Sequence, residues 1–288
     1  MARLPDTPEA LKAALGYEHN FVEVESVDAG RIELSFDLSP ERWPWLALPP
    51  THPVLIEKVQ YFAAVTASWV SDSMQPGTRS ALTRITWDCS PGAGAYPRRA
   101  VSKPWQGERS MGYELRVYDA EDRELYVIRG EGSSFEDRDF EAWREKTRRE
   151  ARAAAKPLEI DPGPDGMNYL GPVREVEGQL VAAACVPSGR AFQPGHPFHT
   201  GTGDHVNAAH LFDCALQMAG RATGRAPAAL DCRGGEARFQ RFIELDVPLE
   251  VRLLGRETLA EGGAALEIGF SQGGRDNASV LLRLADAS

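Results

Sequence analysis

Residues 31–38 alternate strictly, with Ile32, Leu34, Phe36 and Leu38 on one side and Arg31, Glu33, Ser35 and Asp37 on the other. A period of two belongs to a half-buried strand, and this stretch predicts one. A Pro-rich turn follows, from Trp43 to Pro53, and then a run to about Ser73 with no Gly or Pro. Leu55, Val59, Phe62, Thr66 and Trp69 recur there at spacings of three and four, which predicts a helix with one inward face. Further strands are predicted near 79–89, 97–104, 109–119 and 123–134. Phe135–Ala155 is dense in Arg, Lys and Glu and reads as a solvated connecting helix, followed by the breaker stretch Asp161-Pro-Gly-Pro-Asp-Gly166.

The order then restarts. Strands near 173–186, a loop, a helix from 206 to 223 and further strands near 236–246, 247–255, 264–271 and 278–285 repeat the first half, with Leu266, Ile268 and Phe270 alternating again. Two copies of a long helix followed by an antiparallel sheet imply an α+β double hotdog, each sheet wrapped around a mostly apolar helix. The expected division is an N-terminal repeat over 1–155, including the connecting helix 135–155, and a C-terminal repeat over 156–288. The two repeats form an internal pseudo-dimer; whether that pairs again as a homodimer is left open.

Composition narrows the partners. The chain has 288 residues, long enough for two ordinary cores, and its 42 acidic against 32 basic residues give a formal charge of −10. Nucleic acid and anionic membrane both require basic surface and are disfavoured. Cysteines 89, 185, 214 and 232 show no paired spacing, and no apolar run approaches a membrane span or a signal core. A reducing cytoplasm is the expected setting.

Chemistry concentrates in one place. Of the six histidines, four (His196, His199, His205 and His210) fall between positions 196 and 210, where the chain passes from a Gly/Pro-punctuated loop into the second helix. Asp204 is the expected N-cap. On the helix, Phe212, Ala215, Leu216 and Ala219 make an apolar face, and His210, Asp213, Gln217 and Arg221 an adjoining polar stripe. His196, His199, Asp204 and His205 have ligand chemistry, but their spacing matches no metal motif, so neither a metal nor another cofactor is expected.

Particular residues suggest a family. Asp204-His205-Val206 with Asp213 and Gln217 resembles the Asp-His-Val-Pro-Gly-x-x-x-x-Glu-Ala-x-Arg-Gln motif of the A-factor biosynthesis hotdog family. Phe239-Gln-Arg241-Phe-Ile-Glu244-Leu-Asp246-Val-Pro248 is similar to its Phe-x-Arg-Phe/Tyr-Val-Glu-Leu-Asp-x-Pro strand, and Phe270-Ser-Gln272-Gly-Gly to its closing strand and turn. Thr51-His52-Pro53 with Glu57 looks like a degenerate counterpart in the first repeat. The resemblance implies an enzyme that joins a β-ketoacyl group, carried as a thioester on an acyl carrier protein, to a hydroxyl of dihydroxyacetone phosphate. In that reading Asp213 and His205 activate the acceptor, Glu57 assists, and His199 and His52 are further proton-transfer candidates. Gln217, His210, Asp204, Gln60 and Arg241 would bind substrate. The chain departs from the motif at Leu216 and Gln60, where arginines are expected, and at Asn207-Ala208 in place of Pro-Gly. Losing both guanidiniums removes the usual phosphate partner.

His210-Leu-Phe-Asp213-Cys-Ala-Leu-Gln217 also resembles the His-Pro-x-x-Leu-Asp-x-x-x-Gln segment of polyketide synthase dehydratases, which implies Asp213 as acid and His52 as the candidate base. Thioester hydrolysis, with carrier protein or CoA as the acyl donor, is a third reading. A degenerate hotdog that only binds an acyl chain or small ligand is a fourth. The enzymatic readings share one physical core: helix-start amides hold the thioester carbonyl while a carboxylate at Asp213, its pKa raised by burial, moves protons. The ordinary roles of the same residues are a helix cap for His205, a backbone partner for Gln217, an inert thiol for Cys214, a solvent-facing pairing with Lys58 for Glu57, and a pairing with Glu244 for Arg241.

Overall fold

The computed structural model describes residues 22–28, 30–36, 46, 48–70, 78–91, 94–106, 110–136, 140–155, 169–188, 205–260 and 262–286. The chain divides into two compact units, one formed by 1–51 with 55–137 and the other by 52–54 with 138–288.

The first unit contains β1 (Val22–Asp28), β2 (Arg31–Phe36), α1 (Pro53–Val70), β3 (Thr78–Cys89), β4 (Arg99–Gln106), β5 (Ser110–Tyr118) and β6 (Glu124–Glu136). Its strands lie antiparallel in the order β1-β2-β4-β5-β6-β3. The alternation in β2 does what its period requires, burying Ile32, Leu34 and Phe36 and exposing Arg31. On α1 burial extends beyond one stripe: Val54, Leu55, Ile56 and Val59 are buried, but so are Glu57, Lys58 and Gln60. A helix buried all round is the centre of its layer.

The second unit carries α2 (Phe140–Ala154), β7 (Arg174–Val176), β8 (Gln179–Ala184), α3 (Ala208–Thr223), β9 (Cys232–Phe239), β10 (Leu249–Thr258), β11 (Ala264–Gln272) and β12 (Arg275–Leu284). Read from its outer hairpin, the strand order is β7-β8-β10-β11-β12-β9, antiparallel throughout, the same permutation as in the first unit. The α+β double hotdog expected from the repeat is therefore the observed fold. Helix α3 buries Phe212, Leu216 and Met218, each such side chain contributing about 1.5–3 kcal/mol. It ends at Gly224, whose φ of 69° supplies the left-handed cap that lets Arg225 N–H reach Gly220 O at 3.0 Å. Among the described residues no helix is long and apolar enough to cross a membrane.

Three details differ from the sequence reading. Strand β1 was not expected, because its alternation is short: Val22 and Val24 alternate with Glu23 and Glu25, but the period breaks at Ser26-Val27 and most of the strand is exposed. The strands expected near 173–186 are there as a hairpin, turned at Glu177 (φ 51°) and Gly178 (φ 78°), the pair of positive φ values that a tight two-residue loop requires. The strand near 236–246 ends at Phe239. Its ladder stops because the amides of Gln240 and Arg241 both turn to one carbonyl, Asn277 O, at 2.8 and 3.1 Å. Finally, α2 is not simply a solvated connector: Arg144 is 0 % exposed and forms a two-pronged ion pair with Glu244, Nη1 to Oε1 at 2.6 Å and Nη2 to Oε2 at 3.0 Å.

Candidate active site

In the second unit the candidate groups gather at the start of α3. Asn207 is the N-cap, its Oδ1 accepting the His210 N–H at 3.3 Å, which displaces the expected cap at Asp204. Asp204, His199 and His196 lie outside the described residues, so the reading of Asp204 as a substrate ligand and His199 as a proton-transfer group falls there too. Other first-turn amides of α3 have no acceptor within the helix, as in any helix, and point along its positive end. Replacing Asn207 with Ala is expected to cost about 1 kcal/mol in urea unfolding.

Inside the helix, Asp213 is 8 % exposed and Gln217, one turn on, donates Nε2–H to Asp213 Oδ2 at 2.6 Å. The spacing of four places them on one face, and the bond fixes the carboxylate's orientation. His210 is buried with its ring edge-on to Tyr169, centroids 5.3 Å apart. His205, half-buried, packs edge-on against Phe242 at 4.7 Å, and the following residue is tied down by Val206 N–H to Ile243 O at 2.9 Å. Arg221, the last member of the stripe, is exposed. Cys214 is buried, and burial first and the Asp213 charge second hold its thiol well above the ordinary range; it is not an activated nucleophile. Leu216, standing where the motif has an arginine, is 1 % exposed in the core.

Two readings need correction here. Arg241 does not pair with Glu244: its Nη1 donates to Asp276 O at 2.7 Å, and Glu244 is held by Arg144. Glu57 is not solvent-facing either, although its partner is Lys58 as expected, with Nζ at 3.0 Å from Oε2 and both side chains buried.

The first unit places that pair beside a group the sequence did not single out, Tyr113. The Tyr113 hydroxyl on β5 is pushed up, first by burial and then by the charge of Glu57. Burial lowers the Lys58 ammonium, and Glu57 opposes that shift. Tyr113 faces Gly130 across the β5–β6 ladder, and a Cβ at Gly130 would come within 2.2 Å of its ring. Nothing local in the sequence marks Tyr113, because its place opposite Gly130 exists only in the register of the β5–β6 pair.

Ahead of α1, the Tyr96 and Tyr126 hydroxyls donate to Leu48 O and Pro50 O. His52 then caps the helix start, its Nδ1 accepting the Val54 N–H at 3.2 Å. The acceptor nitrogen is thereby used, which places the ring proton on Nε2 and suits a hydrogen-bond donor better than the base that the dehydratase resemblance implies. Burial lowers the imidazole from 6.5 to about 4. The folded chain therefore refuses a proton that the unfolded chain takes below pH 6.5, so this contribution to stability is complete above 6.5 and is lost as pH falls towards 4. From about pH 7.5 to about pH 5 the loss is about 2 kcal/mol. His52→Asn, which keeps a capping acceptor, is expected to remove that part of the acid limb in urea unfolding at the two pH values.

No family model and no curated protein matches the chain. Solved structures do. The 12:0-ACP thioesterase from Umbellularia californica aligns over 90 % of this chain and 98 % of its own at 10 % identity, with a TM-score of 0.53. An inactive mutant of the CurJ dehydratase, in complex with a bound compound, aligns over 93 % and 97 % at 13 % identity with a TM-score of 0.52. The acyl-CoA thioesterase II TesB2 from Mycobacterium marinum aligns over 93 % and 97 % at 12 % identity with a TM-score of 0.51. At these identities the likeness establishes the double-hotdog fold over nearly the whole chain.

Proposed function

We propose that this protein is an enzyme acting on acyl thioesters, and that it transfers a β-ketoacyl group from an acyl carrier protein or CoA to an acceptor hydroxyl. One observation carries the reading: a buried carboxylate, Asp213, held in orientation by Gln217 within the second turn of a helix whose amide end is preceded by His205. In the transfer, the acceptor oxygen bonds to the thioester carbonyl carbon and gives its proton to Asp213 or His205. First-turn amides of α3 hold the oxyanion, the C–S bond then breaks, and the proton passes to the departing thiolate. The Asp204-His205-Val206 resemblance to the A-factor family favours dihydroxyacetone phosphate as acceptor. The buried Leu216 removes one guanidinium that would meet its phosphate, so unphosphorylated dihydroxyacetone belongs in the same test.

Dehydration of a β-hydroxyacyl thioester is the second reading, favoured by the Asp213–Gln217 hydrogen bond at the spacing of the dehydratase segment. Intact-mass measurement separates the readings. A β-ketoacyl carrier is incubated with each acceptor, and a β-hydroxyacyl carrier is incubated alone. Free carrier with an ester product supports transfer, loss of one water supports dehydration, and a free acid with no dependence on acceptor supports hydrolysis. Both substrates unchanged would sink the enzymatic reading and leave a ligand-binding hotdog.

A further inference from the structure

We propose that Arg144 and Phe242 are positioning residues for His205, so that α2, sixty residues away in sequence, sets the geometry at the start of α3. The functional weight of this rests on the reading of His205 as a proton-transfer group; the structural arrangement does not.

Phe242 is the centre of the arrangement. The imidazole of His205 meets it at 4.7 Å with the rings 71° apart, the Arg144 guanidinium lies 4.4 Å from its centroid, and Trp143 meets it edge-on at 5.9 Å. His205 stands two residues ahead of the N-cap Asn207. Its neighbour Val206 is instead anchored to Ile243 O, the carbonyl immediately after Phe242. Side chain and backbone of the His205-Val206 dipeptide thus both lean on the segment 242–243.

That segment is held from three sides. Arg144 grips both oxygens of Glu244, with Arg148 Nε 3.7 Å from the same carboxylate. Gln272 accepts the Glu244 N–H at 2.7 Å and donates to Glu244 O at 3.1 Å and Val247 O at 2.9 Å. Asn277 Nδ2 donates to Phe242 O at 2.8 Å, and Asn277 Oδ1 accepts the Gln272 N–H at 2.9 Å. A stretch that has left the sheet ladder is therefore kept rigid by side chains in place of strand neighbours.

Stability alone is a weak reason for this chemistry, since a buried ion pair is often matched by well-packed apolar residues of the same volume. A planar guanidinium does something an apolar group cannot: its fork fixes the Glu244 carboxylate while its face lies on the Phe242 ring. One side chain from α2 thereby orients both the loop backbone and the ring against which His205 rests.

The test reads the imidazole itself. In protein labelled with ¹³C-histidine, the His205 ring signals are assigned by loss in His205→Gln and then compared in Phe242→Leu, Phe242→Tyr and Arg144→Met. Phe242→Leu is expected to remove the ring-current displacement of His205, and Phe242→Tyr to keep it. Arg144→Met is expected to shift or broaden the same signals although Phe242 is intact, with the His52 and His210 signals unmoved. An unchanged His205 spectrum in folded Arg144→Met overturns the proposal, as does a change spread equally over His52 and His210. Should Arg144→Met not fold, the comparison of Phe242→Leu with Phe242→Tyr decides, and identical His205 signals in those two overturn it. Because the readout needs no turnover, failure here is distinct from failure of the functional reading, which Asp213→Asn tests.

Discussion

Asp213→Asn is expected to lower kcat/KM by a hundredfold or more on whichever acyl thioester proves to be the substrate, in line with the roughly 10²–10⁴-fold worth of a positioned acid or base. The substitution is nearly isosteric, and the asparagine carbonyl still accepts from Gln217, so the helix keeps its hydrogen bond at this face. What it loses is the ability to take up and return a proton. The midpoint of thermal unfolding should therefore change little while turnover collapses. Unaltered turnover in this variant would remove Asp213 from the chemistry, and a parallel fall in stability would show that the carboxylate is mainly structural.

Arg144→Met carries the largest expected effect on stability, about 3 kcal/mol in urea unfolding, the lower end of the 3–5 kcal/mol typical when one partner of a buried ion pair is removed. Two features set the magnitude. Glu244 is buried and would be left as a charge with its main partner gone, which is the costly part. Arg148 remains 3.7 Å away and offsets a fraction of that cost. Removing both charges, as Arg144→Met with Glu244→Leu, is expected to recover much of the loss, because no unpaired carboxylate then remains in the interior. A double variant no more stable than the single one would mean that packing against Phe242, and not the stranded charge, accounts for the effect.

How far the chain can be read without coordinates follows from where each signal resides. The alternation of Ile32, Leu34 and Phe36 and the helical spacing through α1 and α3 are local, and the elements appear close to where the pattern puts them. The repeat of one long helix and a set of strands is a property of order along the chain, so the double hotdog was legible too. The pairing of Asp213 with Gln217 follows from a spacing of four on one helix.

The tertiary structure decided the features that depend on residues far apart in sequence. Phe239–Pro248 carries enough apolar character to read as strand, yet Asn277 and Gln272, arriving from β12 and β11, draw its backbone into a pinned loop. Arg144 sits in a helix whose composition is that of a solvated surface, and only a carboxylate one hundred positions later makes its burial tolerable. Tyr113 shows the same limit, since the space above Gly130 that its ring fills is set by strand pairing. Periodicity along the chain determined the elements and their repetition, because a helix's hydrogen bonds and a strand's alternation of faces are both local. Which charges are buried, and which loop orients His205, were settled by desolvation and long-range pairing, whose energies exist only once the chain has closed on itself.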